Sequence, residues 1–168
     1  MRERCRVCFT CVRECPAKAI RIVDGQAEVI PERCIACGNC VRVCSQGAKV
    51  VLDAVPAVQA LLAGPAPVAA LVAPSFPAEF PDIDDRQLVG TLRALGFARV
   101  FEVAYGADLV AARYARLLAE QPARRFIATT CPAVVAYVER YHPELTGALA
   151  PVVSPLSAAA AAVRRRHG

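Results

Sequence analysis

Eight of the nine cysteines fall in two blocks of identical spacing. Cys5, Cys8, Cys11 and Cys15 recur in order as Cys34, Cys37, Cys40 and Cys44, at one constant offset. Both blocks read Cys-x2-Cys-x2-Cys-x3-Cys, and Pro16 follows the first. Three thiolates at x2 spacing let one loop wrap a face of an iron–sulfur cube, with backbone N–H groups directed at its sulfides. The fourth cysteine lies too far along the next turn to close the same cube, so it serves the other one. The spacing therefore predicts two [4Fe–4S] clusters with crossed ligands. Cluster I takes Cys5, Cys8, Cys11 and Cys44; cluster II takes Cys15, Cys34, Cys37 and Cys40. Two zinc ions or a set of disulfides are the competing uses of eight cysteines.

Compartment and charge bear on that choice. Met1 is followed at once by charged residues and the first cysteine, with no apolar run of a signal peptide. A reducing cytoplasm is the expectation, where nine cysteines mean metal or redox chemistry. The formal charge is +5. Eight thiolates add eight negative charges and two oxidised cubes return four positive ones, leaving about +1. Nucleic acid is not an expected partner. The basic tail Arg164, Arg165, Arg166, His167 is most simply a solvated terminus. Prolines at 56, 65, 67, 74, 151 and 155 interrupt the greasiest stretches, so no membrane insertion is expected.

Three parts must position these residues: 1–52 as a twofold unit, 53–67 as a helical linker, and 68–168 as an α/β domain. In the first, short strands follow each cysteine block, at Ala19–Val23 and Lys49–Leu52, and Gln26–Ile30 makes a third. Ile20, Ile22, Val29, Ile30, Ile35, Val41, Val43, Val50 and Val51 are expected to pack around the clusters. In the linker, an apolar helix over 54–63 ends at Gly64-Pro65. Beyond it, Val68–Ala73 is a buried strand, and Asp84 caps a helix over 85–95 that Gly96 stops. Arg99–Ala104 is the next strand, followed by a helix over 107–120 with Val110, Tyr114, Leu117 and Leu118 on one face. Arg125–Thr129 reads as a third strand, Pro132 opens a helix to about 140, and an Ala-rich helix covers 156–166. Strands joined through helices imply a mostly parallel sheet.

The ninth cysteine, Cys131, lies where a strand gives way to a helix, in Ala-Thr-Thr-Cys-Pro. The positive end of the helix dipole would favour its thiolate. It is an additional candidate metal ligand, or else a plain buried thiol. His142 reads as a surface or cap histidine. Ser154 and Ser157 lack partners for a nucleophilic triad, no GxGxxG follows a strand, and Asp82, Asp84 and Asp85 read as a loop and cap.

Two resemblances add to this. Residues 1–52, with CRVCFTCVRECP and CIACGNCVRVCS, resemble the bacterial-type dicluster ferredoxins, departing only at Ser45, where that family usually has proline. Residues 68–158, with VAALVAPSF, LVGTLRALGFARVFEVAYGADL, ATTCPAVVAYVERYHPEL and SPLSA, resemble the start of the C-terminal domain of the iron-only hydrogenase large subunit. The implied fold is an α+β ferredoxin-like dicluster domain joined to an α/β domain with a mostly parallel sheet. In the hydrogenase family, the cysteine directly before proline ligates the cubane of the hydrogen-activating cluster, and Cys131 matches it. Thr130 stands where that family has a proton-relaying cysteine, a change that resembles the divergent, sensory branch. The family's two later cysteine motifs lie beyond Gly168, so three of the four ligands of that cluster are missing.

The resulting expectation is an iron–sulfur protein that passes electrons to a redox partner: a hydrogenase, another oxidoreductase or a signalling module. The alternative is part of an iron-only hydrogenase-like, even sensory, protein whose active-site cluster needs residues beyond Gly168. Catalysis by this chain alone is not expected; as part of an enzyme it would be a hydrogenase-type oxidoreductase.

Overall fold

The computed structural model describes residues 2–167. In chain order the elements are helix α1 (Thr10–Arg13), strands β1 (Ile20–Val23) and β2 (Gln26–Val29), and helices α2 (Asn39–Arg42) and α3 (Val55–Leu62). Then come β3 (Ala69–Val72), α4 (Phe76–Glu79), α5 (Asp85–Ala94), β4 (Arg99–Glu102), α6 (Val103–Glu120), α7 (Pro132–Tyr141) and α8 (Pro155–His167). Short 3-10 turns cover Arg2–Arg4 and Pro143–Ala148. The architecture is mixed α and β with two small sheets among the described residues, β1–β2 antiparallel and β3–β4 parallel. No helix among the described residues is long and apolar enough to cross a membrane.

The chain forms two compact units, and neither is continuous in sequence. One comprises 1–53 with 131–149; the other comprises 54–130 with 150–168. In the first, β1 and β2 form a hairpin, Ile20 facing Val29 and Val23 facing Gln26. Its tight turn uses Asp24 and Gly25, both at positive φ, as a two-residue hairpin loop requires. The core consists of Cys11, Cys15, Ala17, Ala19, Ile20 and Ile35, with Ala133 and Ala136 of α7 packed against it. Those alanines are one helical turn apart, so a single face of α7 covers the core.

In the second unit Ala69 pairs with Arg99 and Val72 with Glu102. Helices α4 and α5 supply the crossover that parallel pairing needs. A capping box starts α5: the Asp84 carboxylate accepts from the Gln87 N–H at 2.7 Å, and the Gln87 side chain accepts from the Asp84 N–H at 3.0 Å. Gly96, at φ 106°, ends the turn beyond it.

Several elements differ from the sequence reading. Lys49–Leu52 forms no strand, because among the described residues no segment pairs with it. Val50 and Val51 are consequently exposed rather than packed around the cysteines. Helix α6 begins at Val103, earlier than the spacing suggested, and cuts the preceding strand short at Glu102. Val103, Gly106, Val110 and Leu117 are its buried positions, a helical period that reaches back through the apparent strand. Leu118 lies off that face and is exposed. Residues 125–129 form no ladder and reduce to an isolated bridge, with the Ala150 N–H donating to the Ile127 carbonyl at 2.9 Å.

Candidate iron–sulfur site

The cysteine repeat is present in the backbone as well as the sequence. Val7, Phe9 and Lys18 are left-handed in the first copy. Ala36, Gly38 and Gly47, their counterparts at the same offset as the cysteines, are left-handed in the second. Helices α1 and α2 keep that offset too, Thr10–Arg13 becoming Asn39–Arg42. Four of these six positions are not glycine, so the loops hold an unfavourable conformation at a cost of about 1–2 kcal/mol per residue. Alternating left- and right-handed residues turn successive N–H groups to one side and make an anion-binding concavity. That is the cradle a negatively charged iron–sulfur–thiolate group requires.

The sulfurs sit where such N–H groups point. The Ala19 N–H donates to Cys15 Sγ at 3.2 Å, and its repeat mate Ala48 donates to Cys44 Sγ at 3.3 Å. The Ala36 N–H donates to Cys34 Sγ at 3.4 Å. Across the repeat, Asn39 Nδ2 donates to the Glu14 carbonyl at 2.6 Å, tying the start of α2 to the end of α1.

The expected ligands gather in two sets. Cys15, Cys34, Cys37 and Cys40 line one small, largely apolar cavity with Ile20 and Ile35. Cys8 lies within electrostatic reach of Cys5, Cys11 and Cys44, and Cys11 within reach of Cys44. N–H groups of Val7 and Ala27 hold the Cys5 thiol below its ordinary pKa. The Thr10 hydroxyl, 3.4 Å away, and the Thr10 N–H lower Cys8, and the N–H groups of Lys49, Ala48 and Gln46 lower Cys44. Burial pushes Cys11 and Cys40 up, with the Lys49 charge opposing it and neighbouring cysteines adding to it.

Among the described residues, no three cysteine, histidine or carboxylate groups converge on a point where one metal ion could sit. A zinc ion would need its sulfurs at about 2.3 Å from a common centre. A cube bound at four separate irons needs its thiolates spread apart. N–H groups aimed at sulfur and a left-handed cradle fit iron–sulfur groups.

Cys131 caps the start of α7 and is exposed, which rules out the buried thiol. The nearby Thr129 is fixed within the second unit: its N–H donates to the Tyr114 hydroxyl at 3.0 Å, and its Oγ1 lies 3.0 Å from the Ala150 carbonyl and 2.5 Å from that of Val152. His142 ends α7 and pairs with Glu144 at 3.2 Å, a cap histidine. Ser154 and Ser157 bond each other at 3.0 Å. Sequence reasoning missed Arg140 and Tyr141. Arg140 Nη1 donates to the Pro31 carbonyl at 2.8 Å and also to that of Cys34, and Tyr141 Oη lies 2.7 Å from the Ala17 carbonyl and 3.0 Å from that of Arg33. Both hold the backbone beside the second cysteine set, and no sequence signal marks them.

With this geometry in hand, relatives can be placed. Residues 66–168 match the family described as iron only hydrogenase large subunit, C-terminal domain. Residues 1–45 match the 4Fe-4S dicluster domain. The chain belongs to that iron-only hydrogenase family and carries a 4Fe-4S dicluster domain ahead of the matched region. No curated protein matches it. A solved [FeFe]-hydrogenase, from work on oxygen inactivation initiated by modification and degradation of the H cluster 2Fe subcluster, is similar at 26% identity and a TM-score of 0.57. The alignment covers 62% of this chain and 31% of that one.

Proposed function

We propose that the protein binds two [4Fe–4S] clusters and relays single electrons to a partner protein: a hydrogenase, another oxidoreductase or a signalling module. The observation that carries this is the doubled loop, in which left-handed positions, short helices and N–H···S bonds all recur at the cysteine repeat. Cys5, Cys8, Cys11 and Cys44 hold one cluster; Cys15, Cys34, Cys37 and Cys40 hold the other. Each cluster, when bound, accepts or releases one electron. The chain's own residues supply thiolates, N–H donors that stabilise the negative charge on sulfur, and apolar cover from Ile20 and Ile35.

The test is anaerobic purification with iron analysis. About eight irons per chain and a visible absorbance bleached reversibly by dithionite are expected; four irons or fewer would sink the two-cluster assignment.

Family membership favours a second role, as part of a hydrogenase-type oxidoreductase. Cys131 then contributes one ligand to a further cluster, whose other ligands are residues beyond Gly168. Hydrogen-dependent reduction of a viologen dye, with iron above eight per active unit, would select that role over simple relay.

A further inference from the structure

One of the differences between the two copies of the cysteine loop puts a cation beside the sulfurs. Ile20, buried in the first copy, is replaced at the equivalent place in the second by half-buried Lys49. An apolar contact has become a cation. Lys49 is joined to the first cysteine set at both ends. Its backbone N–H donates to Cys44 Sγ. Its ammonium group donates to the Ala27 carbonyl at 2.5 Å, and the N–H of Ala27 donates to Cys5 Sγ. The long side chain is thus fixed on β2, at a residue that itself bonds a candidate ligand. Within the first set, burial raises the Cys11 thiol and the Lys49 charge lowers it.

Cluster potentials are set by net charge, hydrogen bonds to sulfur and exposure. Reduction by an external one-electron donor adds one electron and, with no proton taken up, one negative charge. A fixed cation nearby stabilises that charge, and partial burial weakens its screening by salt.

We propose that Lys49 is a potential-setting residue, whose ammonium group, anchored on the Ala27 carbonyl, favours the reduced state of the cluster bound by Cys5, Cys8, Cys11 and Cys44. The inference rests on the two-cluster function proposed above.

Potentiometric titration followed by electron paramagnetic resonance tests it on the full-length holoprotein. Lys49→Gln keeps a hydrogen-bond donor but removes the charge; Lys49→Met removes both; Lys49→Arg keeps both. Arg86→Gln, an exposed charge on α5, controls for net charge. Lys49→Gln and Lys49→Met should lower the equilibrium constant for one-electron reduction about tenfold, or about 59 mV for a one-electron couple. Lys49→Arg and Arg86→Gln should stay near the parent value. Potentials of Lys49→Gln and Lys49→Met equal to the parent's overturn the proposal. So does loss of iron from both while Lys49→Arg loads fully, since Lys49 would then be a structural anchor. Iron content of the parent protein separates this from failure of the two-cluster function, which would show as four irons or fewer before any substitution.

Discussion

The Tyr141 hydroxyl lies 2.7 Å from the carbonyl oxygen of Ala17, a residue 124 positions earlier in the chain. Ala17 is nearly fully buried and sits two residues after Cys15. The bond places the end of α7 on the backbone of the cysteine core, although family matching assigns that helix to the hydrogenase domain. Tyr141→Phe removes a donor shared between the Ala17 and Arg33 carbonyls, which costs about 0.5–1.5 kcal/mol. Amide hydrogen exchange in α7 should speed up by roughly threefold to tenfold, with exchange in α5 unchanged. Unaltered protection in α7 would mean that Ala133 and Ala136 alone hold it in place.

Cysteine substitutions should separate the two sets from Cys131. Cys37→Ser is expected to reduce bound iron from about eight to about four per chain, because one cubane loses a ligand. Cys131→Ser should leave the iron content of this chain unchanged. Anaerobic iron and sulfide analysis decides both.

Thiol reactivity in the metal-free protein should follow the local hydrogen bonds. Cys5, Cys8 and Cys44 are lowered by N–H and hydroxyl donors, so their thiolates form at lower pH. Cys11 and Cys40 are raised by burial, so theirs form at higher pH. As pH rises from neutral, iodoacetamide should label the first three before the last two, an order that peptide mass spectrometry reads directly. Because metal binding needs deprotonated ligands, Cys11 and Cys40 should limit cluster loading on the acid side.

Two helical glycines should respond oppositely to alanine. A Cβ on Gly106 of α6 would lie 2.1 Å from the Pro155 carbonyl oxygen and 2.9 Å from Ala159. Backbone cannot rotate away as a side chain can, so Gly106→Ala should destabilise by about 1–3 kcal/mol despite better helix propensity. At Gly90 of α5 a Cβ would meet nothing within 4 Å. Gly90→Ala should therefore stabilise by about 0.5–1 kcal/mol. Denaturant melts of the two variants would show shifts of opposite sign.

What could be read before folding was local. The cysteine blocks, the separate strands β1 and β2 and the Asp84 cap announce themselves through spacing, composition and a side chain that bonds within its own turn. What escaped was set by partners distant in sequence. Val100, Phe101 and Val103 look alike as β-formers, yet the approach of α6 to α8 at Gly106 makes Val103 helical. Lys49–Leu52 has strand composition and no neighbouring strand among the described residues. Arg140 and Tyr141 look like any polar end of a helix until the carbonyls of Cys34 and Ala17 arrive beside them.

The discontinuity of the first unit has a consequence for the order of synthesis. Its cysteines leave the ribosome early, but α7 follows only after the whole of 54–130 has been made. At about 5–20 residues per second those nearly eighty residues take roughly 4–16 s. Throughout that interval the Ala17 and Arg33 carbonyls lack their tyrosine, and the core face that Ala133 and Ala136 will cover stands open. The nascent protein thus has a period of seconds in which metal delivery can reach the core around Cys11 and Cys15 before α7 closes over it.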